Sequence, residues 1–130
     1  MEAKELRIGN WVNLYDDFNS QVTGLTNTKK VWCVDNPTNE ECAWSTNRIK
    51  PIPLTEEWLL KLGLVESNKI RNRFIEENQD FEIEIQGLNY AYCLWGGEDA
   101  PHLTQFLGHC KHVHQLQNLY FALTGNELTI

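Results

Sequence analysis

The sequence contains no apolar run long enough to cross a membrane. No window approaches the roughly 20 apolar residues that a membrane-spanning helix needs. The N-terminal stretch MEAKELRIGNWV also has no apolar segment of the kind found in secretion signals. We therefore expect a cytoplasmic protein that does not associate with membranes.

Catalytic motifs are missing as well. The chain has no GxSxG, no phosphate-binding P-loop, no HExxH and no GxGxxG after a predicted strand. Cys110 and His112 are a thiol and an imidazole, but they lie close in sequence and on differing faces, so we do not interpret them as a nucleophile and its base. We expect a protein that is not an enzyme and that has no catalytic residues and no cofactor.

Positive charge is scarce. Eleven Lys and Arg residues stand against eighteen Asp and Glu residues, which gives a formal net charge of −7 and a pI near 5.0. The resulting field repels the phosphate backbone of long nucleic acids and the surface of anionic membranes. The remaining partners are a small anionic ligand or another protein, and a homo-oligomer is compatible with the sequence.

Cysteines at the spacing of redox or metal motifs are also absent. The four cysteines, Cys33, Cys42, Cys93 and Cys110, include no CxxC pair. Together with the missing secretion signal, this spacing predicts reduced thiols rather than a disulfide framework.

What the sequence does contain predicts an α+β fold. At 130 residues and 42% apolar content, we expect a single compact domain over residues 1–130. Short β-prone runs separated by turn residues predict an antiparallel meander or a small barrel over residues 1–53. We expect a short helix over residues 54–63, a second set of antiparallel strands over 69–107, and an amphipathic helix over 112–124.

The stretch LTEEWLLKLG has the signals of a short helix. Thr55 can cap it, and Glu56 and Glu57 fall in the first turn, where the helix dipole favours anions. Gly63 suits the left-handed residue just past the end of a helix. We expect Trp58 to lie in the core rather than in a binding site.

The stretch NKIRNRFIEENQDFEIEIQG predicts a β-hairpin with a two-residue turn at 77–78. In that register Arg73 lies opposite Glu82 and Arg71 lies opposite Glu84, so side-chain alternation and cross-strand charge pairing agree. The basic strand could instead receive an anionic ligand, but pairing with the glutamates is the simpler interpretation.

The stretch HCKHVH, residues 109–114, has the residue types of a transition-metal site. As a strand it places Cys110, His112 and His114 on one face. As a helix it places the two histidines about 200° apart, where they cannot share one ion. The apolar period that follows favours the helix, so we interpret the stretch as a strand or turn that leads into a helix, and we expect no metal site.

The C-terminal helix is predicted from its apolar period. Leu116, Leu119, Tyr120 and Leu123 fall on one arc of a 3.6-residue wheel, and Gly125 is the expected residue past the helix end. We therefore expect both Leu116 and Leu123 to lie in the core.

The best candidate for a ligand-binding site surrounds Trp95. This residue ends the predicted strand NYAYCLW and is followed by Gly96 and Gly97, whose amides can approach a phosphate, while Arg71 and Arg73 can supply charge. The alternative is that Trp95 fills the core and the glycines only turn the chain.

The blocks ELRIGNWV, PIPLTEEWLLKLG and HVHQLQNLYFALTGNELTI cover about a third of the chain. They resemble a family of small proteins encoded by bacteriophages and prophages of gut bacteria. The resemblance transfers no catalytic residue, but it implies a protein that acts in the cytoplasm of an infected bacterium.

Phage proteins of this kind include accessory proteins that blunt host defence and small components of replication or virion assembly. In that setting we expect a non-catalytic binding protein that sequesters a small nucleotide-derived signal. The alternative is a protein–protein interaction module that binds a host or phage protein.

Overall fold

The computed structural model describes residues 1, 3–16, 18–26, 29–35, 39–68, 71–76, 81–86, 90–95 and 105–128. Over these residues the chain is α+β, as the sequence predicts, with two antiparallel sheets that do not close into barrels and two α-helices. None of the helices in the described ranges has the length and apolar content to cross a membrane.

The chain divides into two compact units. The first comprises Met1–Ile52 and Val113–Asn118, and the second comprises Pro53–His112 and Leu119–Ile130. The expectation of a single domain over the whole chain stays a prediction.

The first unit is built on a four-stranded antiparallel meander, which confirms the sequence-based prediction for residues 1–53. Its strands follow one another in space as in sequence. Side chains alternate between the core and the surface, as the pleat of a half-buried sheet requires. The strands are β1 (Trp11–Tyr15), β2 (Phe18–Leu25), β3 (Lys30–Val34) and β4 (Glu41–Ser45). The core they enclose contains Leu6, Val12, Leu14, Val22, Val31, Cys33 and Ile49.

The helix near the C-terminus, α2 (Val113–Thr124), contributes a buried amide to this unit. The side chain of Gln117 is 1% exposed. Its Oε1 accepts a hydrogen bond from the Trp11 N–H at 2.9 Å, and its Nε2 donates to the Gly9 carbonyl at 3.1 Å. One side chain thus satisfies backbone groups just before and at the start of β1.

The next residue of α2 extends the same contact. Asn118 Oδ1 accepts hydrogen bonds from Asn10 Nδ2 at 2.9 Å and from Arg7 Nη1 at 3.2 Å. Asn118 Nδ2 donates to the Glu5 carbonyl at 2.9 Å. Because buried polar atoms are stable only when hydrogen-bonded, these two amides fix the segment that precedes the first sheet.

The second unit begins with the predicted short helix, α1 (Glu56–Lys61). Thr55 caps it, with Oγ1 accepting from the Trp58 N–H at 3.3 Å. Gly63 follows it with φ of 91°, the left-handed conformation that glycine adopts without steric cost. Trp58 is buried, so its expected place in the core is confirmed.

A five-stranded antiparallel sheet follows, also in sequence order. Its buried apolar side chains include Phe74, Phe81, Ile83 and Cys93. The strands are β5 (Val65–Glu66), β6 (Arg73–Ile75), β7 (Phe81–Gln86), β8 (Tyr90–Trp95) and β9 (Gln105–Cys110).

The predicted hairpin exists, but its predicted register is wrong by two residues. β6 and β7 pair with Arg73 opposite Glu84 and Ile75 opposite Glu82. The last backbone hydrogen bond before the connection runs from the Glu76 N–H to the Phe81 carbonyl at 3.1 Å. The predicted turn at 77–78 lies outside the described residues. A shift of two keeps every side chain on its predicted face, which is why alternation alone could not detect it.

The bounds of α2 agree with the prediction, but its buried face does not. Leu116 and Tyr120 are buried as expected, whereas Leu123 is 40% exposed. His114 and Gln117 are buried instead. At about 100° per residue, the buried arc is centred close to Val113 and Gln117, so that Leu123 falls at its edge.

Candidate functional site

An open cleft runs along the outer strand of the first sheet. β4 comes last in the order of that sheet, so among the described residues one of its edges has no neighbouring strand. The cleft has a volume of about 430 Å³. Its walls are formed by Lys30, Cys42, Ala43, Trp44, Ser45 and Arg48.

Backbone pairing brings the two cations of the cleft to the same end of β4. Lys30 begins β3 and lies directly opposite Ser45, the last residue of β4. A tight turn follows, closed by the Arg48 N–H donating to the Ser45 carbonyl at 2.9 Å. Within it the Asn47 N–H lies 3.4 Å from Ser45 Oγ. The turn therefore places Arg48 close to the end of β4 that pairs with Lys30.

These cations are available to a ligand. Both are exposed, and within the described ranges neither side chain forms an ion pair with a carboxylate. Glu41, at the opposite end of β4, is about 13 Å away along an extended strand. Two cationic residues therefore lie together at the Ser45 end, although the chain as a whole carries −7.

Trp44 also lines the cleft. Because side chains alternate along β4, that of Trp44 lies on the core face, opposite to the face of Ser45 and its partner Lys30. It is half-buried and packs against the core cluster of the first unit. Its indole stacks on Tyr15, with ring centroids 6.0 Å apart and an interplanar angle of 25°. These contacts hold Trp44 in one position at the side of the cleft.

Cys42 lines the same cleft and lies directly opposite Cys33 in the register of β3 and β4. Burial raises the pKa of the Cys33 thiol from 9.0 to about 11, so this group stays protonated at neutral pH. Two exposed cationic residues, Lys30 and Arg48, thus lie at one end of the cleft.

The structure gives Arg73 a different role from the one predicted for a ligand-binding residue. Its Nη1 lies 3.1 Å from Glu82 Oε2, and its Nη2 lies 2.9 Å from Glu84 Oε2. The Arg73 side chain is 12% exposed and that of Glu82 is 2% exposed. Pairing with the glutamates, the simpler interpretation of the sequence, is thus confirmed for Arg73.

The other predicted site residues are not brought together with it in the described ranges. Arg71 is exposed in a turn before β6 and does not lie opposite Glu84, so that predicted pair is wrong. The backbone of Trp95 ends β8 and pairs with β7 and β9, and only its backbone is described. Gly96 and Gly97 lie outside the described residues.

The stretch HCKHVH is a strand end that leads into a helix, as predicted. Cys110 is the last residue of β9, His112 forms an isolated bridge with Pro53, and α2 begins at Val113. Across the part of the chain that the structure describes, no group of three or more His, Cys, Asp or Glu side chains is arranged to hold a metal ion.

Sequence reasoning missed Lys30, Trp44 and Arg48. The usable signal was the pair of basic segments, KKVW and WSTNRIK, at the ends of two β-prone runs. In an antiparallel pair the start of one strand meets the end of the next, so the two segments are neighbours. Without an explicit register for β3 and β4, that coincidence could not be seen.

Comparisons with known proteins give no further guide to function. No family model matches the chain, and neither the curated proteins nor the solved structures contain a match to it.

Proposed function

We propose that the protein is a non-catalytic binding protein for a small, nucleotide-derived anion, and that the ligand occupies the cleft along β4. The observation that carries the proposal is the convergence of Lys30 and Arg48 at one end of a cleft whose lining also includes Trp44. Cations bind phosphate oxygens through charge-assisted hydrogen bonds, and an aromatic residue at the edge of such a site can contact a planar base.

The size of the cleft and the charge of the chain favour a small ligand. A volume of about 430 Å³ is within the roughly 300–1,000 Å³ typical of small-molecule sites. A long polyanion would meet the field of a chain that carries −7 overall, whereas a mononucleotide-sized anion meets mainly the local field of the cleft.

The biological role proposed here rests on the resemblance to phage proteins. A cytoplasmic phage protein that binds such a ligand without transforming it would lower the concentration of a host immune signal. Sequestration requires affinity and abundance but no catalytic group, which agrees with the absence of catalytic motifs from the sequence.

A thermal-shift screen against ADP-ribose and cyclic dinucleotides tests the proposal. A ligand present at about a hundred times its dissociation constant stabilises the folded state by about 2.7 kcal/mol, which gives a clear rise in melting temperature. Failure of every probe to stabilise the protein would contradict the proposal.

Variants then locate the site by calorimetry. Lys30→Gln and Arg48→Gln should each weaken binding by roughly 10- to 150-fold, because each removes a charge-assisted hydrogen bond worth roughly 1.5–3 kcal/mol. Arg71→Gln and Trp95→Ala are the matched controls and should retain affinity. Loss of roughly 1–3 kcal/mol at Trp95 with none at Lys30 would instead place the ligand at the sequence-predicted site.

A protein-interaction module is the second candidate, and the edge of β4 favours it. An outer strand offers backbone groups to an added strand, and Trp32 on the neighbouring strand is 40% exposed. A stoichiometric host or phage protein in a pull-down, together with no response to any nucleotide probe, would support this candidate.

A further inference from the structure

Two cysteines of the second unit lie in sulfur contact on neighbouring strands. Cys93 on β8 pairs in register with Gly108, and Ala91 pairs with Cys110 on β9, so the two cysteines are diagonal neighbours on one face. Their Sγ atoms are 3.5 Å apart, and both thiols are free and buried. A covalent bond requires the two sulfurs to approach by about a further 1.5 Å, through side-chain rotation and local movement of the strands.

We infer that Cys93 and Cys110 form an oxidation site, at which a peroxide-class oxidant converts the thiol pair into an intrachain disulfide. This inference is independent of the proposed anion cleft, since the two cysteines belong to the other unit of the chain.

The hydrogen bond between the sulfurs assigns different roles to them. The Cys93 S–H donates to Cys110 Sγ, and this bond lowers the pKa of Cys110, although burial opposes the shift. The same bond, together with burial, raises the pKa of Cys93. Cys110 is therefore the sulfur that reaches the reactive thiolate form more readily.

The chemistry balances with hydrogen peroxide as the co-reactant. The Cys110 thiolate attacks one peroxide oxygen, the S–O bond forms, the O–O bond breaks, and the departing hydroxide takes up a proton to become water. Cys93 then attacks the sulfenic sulfur, which forms the S–S bond and breaks the S–O bond. Hydroxide leaves and takes the Cys93 proton. Two thiols lose two electrons in total, and peroxide is reduced to two waters.

Access of the oxidant is explained by the position of β9. It comes last in the order of its sheet, and its ladder with β8 is interrupted beside Cys93, where the register shifts between Cys93 and Leu94. A bulged outer strand opens locally at a lower free energy than a central strand. We therefore expect oxidation of the folded protein to be slow and to be limited by this opening.

The chain contains its own comparison pair. Cys33 and Cys42 also lie on neighbouring strands, directly opposite each other on β3 and β4.

Peptide mapping identifies which cysteines are linked. After treatment with hydrogen peroxide, remaining thiols are blocked with N-ethylmaleimide in denaturant, and the protein is digested after glutamate. Glu98 separates Cys93 from Cys110, and Glu40 and Glu41 separate Cys33 from Cys42, so the linked peptides identify the bridge.

The expected result is a loss of two hydrogen atoms in the intact mass and a linked peptide pair that contains Cys93 and Cys110. The oxidised protein should melt roughly 5–15 °C higher, and dithiothreitol should reverse the change, because the new bond restricts the unfolded chain. Cys93→Ser and Cys110→Ser should each abolish the bridge, whereas Cys33→Ser and Cys42→Ser should leave it intact.

Three results would overturn the inference: a bridge between Cys33 and Cys42, a bridge between two chains, or four unmodified thiols in folded protein under conditions that oxidise the unfolded chain. Circular dichroism of the serine variants shows whether a missing bridge reflects lost chemistry or a lost fold.

Discussion

Single polar side chains determine more of this structure than its apolar pattern indicates. Gln117 and Asn118 of α2 hydrogen-bond the segment Glu5–Trp11. A polar residue inside a helical apolar pattern reads as solvent-facing when only the sequence is available. Its burial depends on backbone groups about a hundred residues away, which no local pattern encodes.

Gln117→Ala should therefore lower the free energy of unfolding by about 1–3 kcal/mol, because the Trp11 N–H loses its acceptor in a buried setting. The Gly9 carbonyl also accepts from Gln21 Nε2 at 3.1 Å, so that group is less affected. Urea denaturation measures the change. Gln115→Ala, on the exposed side of the same helix, should change stability by less than about 0.5 kcal/mol. Equal effects at the two positions would contradict the role given to Gln117.

Cys33 makes stability depend on alkaline pH. Its folded-state pKa of about 11 is above the ordinary value of 9.0, so its contribution is complete below pH 9 and is lost as pH rises towards 11. Denaturation between pH 8 and 11 should show falling stability, and the fall should be shallower in Cys33→Ala. The same slope in both proteins would show that Cys33 does not titrate differently on folding.

At the scale of elements, the sequence predicts which helices and strands are present better than it predicts how the strands pair. Both helices, the first meander and the hairpin of β6 and β7 follow from capping residues, turn residues and period-two alternation. The hairpin register does not follow, because a shift of two residues keeps the same faces. Arg73 still reaches its predicted partner Glu82 diagonally, while pairing directly with Glu84.

The existence of α2 was likewise predicted correctly, but its buried face was not. The buried face includes Gln117 and leaves Leu123 exposed. Leu116→Ala should cost about 2–5 kcal/mol of unfolding free energy, because its side chain is fully buried. Leu123→Ala should cost less than about 1 kcal/mol, because that side chain is already substantially exposed. Thermal or urea unfolding of the two variants distinguishes the observed face from the one centred on Leu123. If Leu123→Ala instead lowers the unfolding free energy by several kcal/mol, Leu123 is buried, as the sequence predicts.

At the scale of the whole molecule, the distribution of charge matters more than its sum. Four of the eleven Lys and Arg residues, Lys29, Lys30, Arg48 and Lys50, flank β3 and β4. The sequence correctly indicates the scarcity of cations but does not show that two of them meet in one cleft. The pairing of β3 with β4 brings these two cations together, and the anion site proposed above depends on that pairing.

The predicted site and the observed cleft differ because they rest on different kinds of information. Trp95, Gly96 and Gly97 attracted attention as a local run of useful residue types, and Arg71 and Arg73 as a nearby basic strand. Arg73 is held by two carboxylates in the folded protein, which lowers its capacity to bind an added anion. Lys30 and Arg48 become neighbours only through the register of two strands, and within the described ranges they meet no carboxylate.

Mapping the ligand by NMR tests the central claim most directly. A ¹⁵N-labelled sample is titrated with ADP-ribose and, separately, with a cyclic dinucleotide. The proposed cleft predicts saturable amide shifts that are largest at Lys30, at Ala43 to Ser45 and at Arg48, and that are strongly reduced in Arg48→Gln. Shifts centred instead on Arg71 and Trp95, or no saturable shift with either probe, would contradict the assignment of β4 as the ligand-binding site.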